Sequence, residues 1–182
     1  MAVAAVAALL VAGCSGDQKA ASKANFKAAL QEWFDRNPVC TTLAVMSDIP
    51  IVREARDRSS AAGIDAAVSA GLLSVESFRE VPPFGRTPED YRRYRPTDTG
   101  KTAIRKGRMG SVDICFARRE IESIETFTEP ADMAGIRLSR VTYRYGLADV
   151  APWTNDAAIK AALPAIGQIL ASPPNRRPIR WC

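Results

Sequence analysis

Apolar residues recur at helical spacing near the start of the patterned chain. Phe26, Ala29, Leu30, Trp33 and Phe34 make one stripe over three turns. Asn25 is placed to cap that helix, and Asn37-Pro38 to end it. The period then shortens. Residues 39–45, Val-Cys-Thr-Thr-Leu-Ala-Val, are β-branched and predict a buried strand. Residues 51–62 are more polar and predict a second helix, closed by Gly63. Asp65 would cap a short helix over 66–70 that stops at Gly71 and leads into Leu72-Leu73-Ser74-Val75. Residues 94–101, Tyr-Arg-Pro-Thr-Asp-Thr-Gly-Lys, read as a strand entering a turn and a helical start.

Beyond residue 109 the pattern has period two. Val112, Ile114 and Phe116 alternate with Asp113, Cys115 and Ala117. Residues 121–128 form a second, charged strand, and Glu129-Pro130 opens a connection closed by Gly135. In a third strand Val141, Tyr143, Tyr145 and Leu147 share one face, while Arg140, Thr142 and Arg144 share the other. Three consecutive strands predict an antiparallel meander, half buried and half wet. Trp153 precedes a helix with Ile159, Ala162, Leu163 and Ile166 on one face, which Pro164 must kink or restart. The tail over 173–178, Pro-Pro-Asn-Arg-Arg-Pro, predicts an exposed, polyproline-like segment. The class is α+β.

Helix 66–70 with its Ala70-Gly71-Leu72-Leu73 end, a hairpin of about twenty residues, and then the segment 94–101 resemble the helix-to-wing passage of winged helix domains. The likeness covers about residues 26–105. It implies a winged-helix-like module over 25–108, followed over 109–182 by the antiparallel meander, a C-terminal helix and the tail.

Residues 1–13 carry no charge and only small or apolar side chains apart from Met1. The run is too short for a mature membrane-spanning helix but fits the apolar core of a secretory signal. It ends Leu10-Val11-Ala12-Gly13-Cys14 and is followed by polar Ser15-Gly16-Asp17-Gln18-Lys19. This resembles the lipobox of bacterial lipoproteins. The resemblance implies a signal peptide over 1–13 and a flexible tether over 14–24. It also implies membrane attachment through diacylglycerol and a further acyl group, such as palmitate, on Cys14. Ser15 beside the cysteine is similar to the pattern sorted to the outer membrane, on its periplasmic face. No Lys or Arg precedes the apolar run, a departure that points to a basic stretch lost upstream. With "Phe-Lys-Ala-Ala-Leu", "Val-Cys", "Val-Thr-Tyr-Arg-Tyr-Gly-Leu" and "Ala-Pro-Trp", the chain looks like small proteobacterial lipoproteins of uncharacterised function. That likeness implies an envelope location and carries no catalytic residue with it.

Composition narrows the chemistry. The 182 residues are 47% hydrophobic and 25% charged, enough for a real core, and there is no histidine. This excludes Ser-His-Asp and Cys-His catalysis, His-ligated metals and an imidazole switch. With Cys14 assigned to lipid, Cys40, Cys115 and Cys182 remain. Cys40 and Cys115 sit in predicted strands and are the favoured bridge. The alternatives are two buried free thiols, or a Cys182 that reaches either partner or another molecule. No Cys-x-x-Cys signals a zinc or redox site.

Gly100-Lys101-Thr102 looks like the end of a phosphate loop, but the glycine needed five residues earlier is Arg95, and a turn entering a helix is preferred. Glu120, Glu122, Glu125, Glu129 and Asp132 could serve as paired carboxylates or oxygen ligands for calcium. A solvated face explains them more simply, and their spacing is not that of an EF-hand. No catalytic residue, metal ligand or cofactor is assigned.

The lysine and arginine excess of 25 over 20 acids concentrates between 86 and 119, where ten basic residues face four acidic ones. Tyr91 and Tyr94 interleave with Arg92, Arg93 and Arg95, and these five are the binding candidates. Such a stretch suits anionic lipid or an acidic protein partner. Nucleic acid is disfavoured, because the helix at 64–70 has no Lys, Arg, Asn or Gln. The leading expectation is a lipid-anchored envelope protein with a non-enzymatic binding role. The alternatives are a cytosolic winged-helix DNA-binding regulator, if the N-terminus is no signal, and an envelope hydrolase using paired carboxylates.

Overall fold

The computed structural model describes residues 20–58, 60–85, 87–172 and 175–181, with side chains for these residues except 133, 136 and 175–181. Residues 1–13, read above as a signal peptide, the tether residues up to 19 with Cys14, and Arg86 and Cys182 lie outside the described residues. The fold is α+β, with five α-helices and two antiparallel sheets among the described residues.

One strand organises the molecule. β6 (Val112–Phe127) runs for sixteen residues, so the two strands expected at 112–117 and 121–128 are one. The apolar alternation slips where the strand changes neighbours. Phe116 and Ala117 are both buried, and register shifts follow between Ile121 and Ser123 and between Ile124 and Thr126. Each bulge moves the inward-facing set by one position, so no single period of two spans the strand. The first half of β6 pairs with β1 (Val39–Ala44) and with the short β5 (Ile104–Lys106), and the second half pairs with β8 (Ile136–Ala148). β7 (Ala131–Met133) pairs with the start of β8 across a turn at Ala134-Gly135, with Pro130 just ahead of it. β9 (Asn175–Trp181) lies along the other side of β8. The described part of the Pro-rich tail, 175–178, is thus a sheet strand rather than a free polyproline segment. Pro178 lies opposite Thr142 on a strand that pairs on one side only among the described residues, the position where a sheet tolerates proline.

α1 (Lys23–Arg36) begins two residues before the expected cap. Its N-cap is Ser22, whose hydroxyl accepts from the Asn25 amide. It buries Phe26, Leu30 and Phe34 against Ile121, Ile124, Val141 and Tyr143. The tyrosine-bearing face of the sheet is therefore covered by α1 and is not an open surface. Where β1 ends its pairing at Ala117, the Gln31 side chain takes over the open edge of β6. It donates to the Arg119 carbonyl at 3.0 Å and accepts from the Ile121 amide at 2.8 Å.

The second sheet is β2 (Ile51–Glu54), β4 (Glu89–Pro96) and β3 (Leu73–Glu80), with β4 central. Residues 51–54 are thus a strand, not the start of a helix. The helix they were expected to begin is α2 (Ala61–Ser69), which runs through Gly63 and Asp65 instead of stopping and restarting there. The helix-to-hairpin passage from α2 through β3 to β4 forms as expected. α3 (Asp98–Ala103) follows, capped by Thr97, whose hydroxyl also donates to the Gly71 carbonyl. α4 (Ala157–Ala162) and α5 (Pro164–Ala171) restart at Pro164 as read, and α4 packs on α2. Ile159, Leu163 and Ile166 therefore join Ile64, Leu72, Tyr94, Val112, Ile114 and Phe116 in one core that draws on both ends of the chain.

Candidate functional site

The hairpin of β3 and β4 carries four of the expected binding residues outside the core. Tyr91 stacks on Phe78 with ring centroids 5.6 Å apart, and the Arg93 guanidinium lies 4.2 Å over the Phe78 ring. Arg93 and Arg95 both pair with Glu76, which sits opposite Arg93 in register. The Arg95 hydrogen bond, more than its charge or that of Arg93, holds the Glu76 carboxyl below its ordinary range. Arg79 pairs with Asp90 at 2.7 Å, and Arg56 spans Glu54 and Glu89. Burial, joined by the charges of Glu89, Glu54 and Glu80, pushes the Tyr91 hydroxyl above its ordinary range. The hairpin is thus balanced in charge rather than basic. Arg92 lies on the opposite face, across from Ser77 and Arg53.

Tyr94 is the correction among the five. It faces the core opposite Ile51, 6% exposed, and offers no binding surface. Strand alternation explains this: 91, 93 and 95 share one face, while 92 and 94 share the other.

The favoured cysteine bridge is present. Cys40 and Cys115 are directly opposed on β1 and β6 and joined as a disulfide. Beyond it, toward the Val112 end of β6, the same two strands and the chain leaving β5 enclose an open groove of about 570 Å³. Three of its wall residues are cations: Arg105, Lys106 and Arg108. Lys106 is tied to Asp48 at 2.7 Å, and that hydrogen bond leads in lowering the Asp48 carboxyl. Arg105 and Arg108 make no ion pair among the described residues. Asp113, on the floor, accepts from the Ser111 hydroxyl at 2.9 Å and the Thr42 hydroxyl at 3.4 Å. Gly107 is required there, because a Cβ would collide with the Ser111 hydroxyl and the Asp113 carboxylate.

Two methionines stand at the rim. Met46 is 86% exposed and Met109 101%. Both hold left-handed backbone, φ 45° and 51°, which costs a non-glycine residue about 1 kcal/mol or more. The turns that carry them are stitched together by the Ser47 amide donating to the Gly110 carbonyl at 2.8 Å. Arg53 braces the first turn by donating to the Val45 carbonyl and the Ser47 hydroxyl, at 2.7 and 2.6 Å. The arrangement is a braced frame presenting, beside two thioethers, two guanidiniums that make no ion pair among the described residues. It can hold an anion that carries an apolar group.

The other chemistry raised by sequence is dispersed. Glu120, Glu122, Glu129 and Asp132 are exposed along β6 and the connection after it, and Glu125 is engaged by Arg144 at 3.2 Å. None of the five lines the groove. No group of three or more His, Cys, Asp or Glu among the described residues could hold a metal ion. Gly100 is a packing glycine: a Cβ there would strike the Leu72 carbonyl. The exposed positions of α2 include Asp65 and Ser69 but no cation. No described helix is long and apolar enough to cross a membrane.

Sequence reasoning reached Arg105, Lys106 and Arg108 as members of the basic run. It did not reach Met46, Met109 or Asp113, because nothing in a linear pattern places the 45–47 turn beside the 107–111 turn. No family model, curated protein or solved structure matches the chain.

Proposed function

We propose that this chain is a lipid-anchored protein of the bacterial cell envelope, held through Cys14 at the periplasmic face of the outer membrane, and that its work is binding rather than catalysis. The observation that carries the binding role is the groove. Of the described cations between 92 and 108, Arg93, Arg95, Lys101 and Lys106 pair with carboxylates; Arg92, Arg105 and Arg108 make no ion pair among the described residues, and of these Arg105 and Arg108 line the groove with exposed Met46 and Met109. Support for the anchor is the segment Leu10-Val11-Ala12-Gly13-Cys14 with its polar sequel. More than one acyl chain would make attachment durable, since a single chain binds only marginally.

Intact mass and membrane fractionation, on protein expressed from its native upstream region, test the anchor. The expected product is a diacylglyceryl-modified chain that begins at Cys14 and sediments with membranes. An unmodified soluble chain retaining Met1 overturns it and brings the DNA-binding reading forward.

A further inference from the structure

The groove and the start of α1 lie at opposite ends of β6. α1 starts beside the C-terminal end of β6, where the Phe26 and Phe127 rings meet at 5.2 Å. It then runs back along the strand, with Gln31 at Arg119 and Asp35 at Arg118. β1 continues in the same direction, from Val39 opposite Ala117 to Ala44 opposite Val112. Residues 23–44 thus retrace β6 from one end to the other. Its sixteen residues measure about 50 Å at 3.3 Å each. The groove therefore lies at the far end of β6 from the start of α1.

We infer that the groove binds an acidic segment of a protein partner, with carboxylates on Arg105 and Arg108 and an apolar side chain against Met46 and Met109. The inference rests on the envelope-binding reading above and names its partner. Charge decides the sign of the ligand: two guanidiniums that make no ion pair among the described residues outnumber the one carboxylate, Asp113, in the groove and match an anion, and guanidinium forks suit carboxylate geometry. The rim decides that the ligand is not a bare anion. Two fully presented thioethers form an adaptable apolar surface that a simple ion leaves idle. Asp113 on the floor, with one carboxylate to two free cations, limits the groove to one or two carboxylates and disfavours a polyphosphate chain. A volume of about 570 Å³ is in the range that holds a few side chains.

The test uses the full lipidated chain in phosphatidylcholine nanodiscs. It reads fluorescence anisotropy with a library of eight-residue peptides, each carrying two carboxylates and one leucine or phenylalanine. Members of the library should bind, and binding should weaken roughly tenfold or more in Arg105→Ala/Arg108→Ala and as ionic strength rises. Arg79→Ala, paired with Asp90 on the hairpin, should change nothing. Met46→Ser/Met109→Ser should weaken peptides with the apolar residue and spare all-acidic ones. Arg105→Glu/Arg108→Glu, its fold checked by circular dichroism, should reject the acidic peptides and accept lysine-containing counterparts. Failure of every acidic peptide overturns the inference. So does binding that the double alanine variant leaves intact. Capture of added phosphatidylglycerol vesicles through the same arginines, with no peptide bound, also overturns it, while leaving an envelope-binding protein in place. Loss of the Cys14 modification is read separately by mass and would sink the underlying reading instead.

Discussion

The β3–β4 hairpin and the groove at the Val112 end of β6 draw their cations from one stretch of chain but end in opposite electrostatic states. On the hairpin, Arg93 and Arg95 meet Glu76 across the strands, and Arg79 meets Asp90. In the groove, Arg105 is opposite Asp113 in register, yet Asp113 accepts from two hydroxyls and Arg105 is left without an ion pair among the described residues. What separates the two is cross-strand partnering. Glu76 and Asp90 are taken up by arginines, whereas Asp113 is taken up by the hydroxyls of Thr42 and Ser111, and local composition contains no record of which. A basic run is therefore a poor measure of a basic surface. Exposed ion pairs contribute little to stability, but they remove a cation's availability to a ligand.

The contrast can be broken in several places. The largest expected effect comes from the disulfide, which closes a loop spanning 75 residues and ties the two strands that wall the groove. Cys40→Ala/Cys115→Ala should lose about 4 kcal/mol in the chain-entropy account. Urea denaturation of oxidised and variant protein measures it, and an unchanged midpoint would remove the bridge from the groove's support.

The two tyrosines of β4 should then separate. Tyr94→Ala opens a cavity in the core and should cost about 3 kcal/mol. Tyr91→Ala gives up a stacked, half-exposed ring and should cost about 1 kcal/mol or less. Equal losses would mean that the face assignment of β4 is wrong.

Arg105→Ala/Arg108→Ala should move stability by no more than about 0.5 kcal/mol, as expected of surface positions with no ion pair to lose. A thermal melt showing a large drop would make these arginines structural rather than ligand-facing.

Smallest is a pH effect confined to the hairpin. Glu76 has a folded pKa below its ordinary 4.5 because Arg95 stabilises its carboxylate. A depressed pKa adds stability that is fully present above pH 4.5 and is lost as pH falls through the lower folded value. A carboxyl-carbon NMR titration should find the Glu76 midpoint below 4.5, and Arg95→Ala should move it upward. A midpoint at or above 4.5 in the unaltered protein would dissolve the pairing.

Much of the local architecture was legible along the chain. The α1 stripe, the ends at Asn37-Pro38 and Gly71, the strand at 39–45 and the restart at Pro164 follow from short-range chemistry. The 40–115 bridge was the favoured one of several pairings, and the register of β1 on β6 decided it. Residues 51–54 were not legible as a strand, because their polarity suits the half-open β2 whose identity depends on β4 forty residues later. The single long β6 was not legible either, since its bulges break the period that would have revealed it. Of the site, the arginines were visible and the methionines were not. Their turns are joined by a backbone hydrogen bond between Ser47 and Gly110, which no side-chain pattern encodes.

The sequence by itself determined the α+β class, the elements whose apolar residues keep one period, the absence of imidazole chemistry, and an N-terminal segment written like a lipoprotein signal. These depend on residue identity and on spacings of a few positions. Only the tertiary structure decided which arginines are neutralised, that Tyr94 points inward, that α1 covers the tyrosine face, and that the free guanidiniums sit a full strand length from where the chain enters. Those outcomes depend on the register between strands far apart in the chain. A shift of one residue there would turn each side chain to the other face and give every charge a different neighbour.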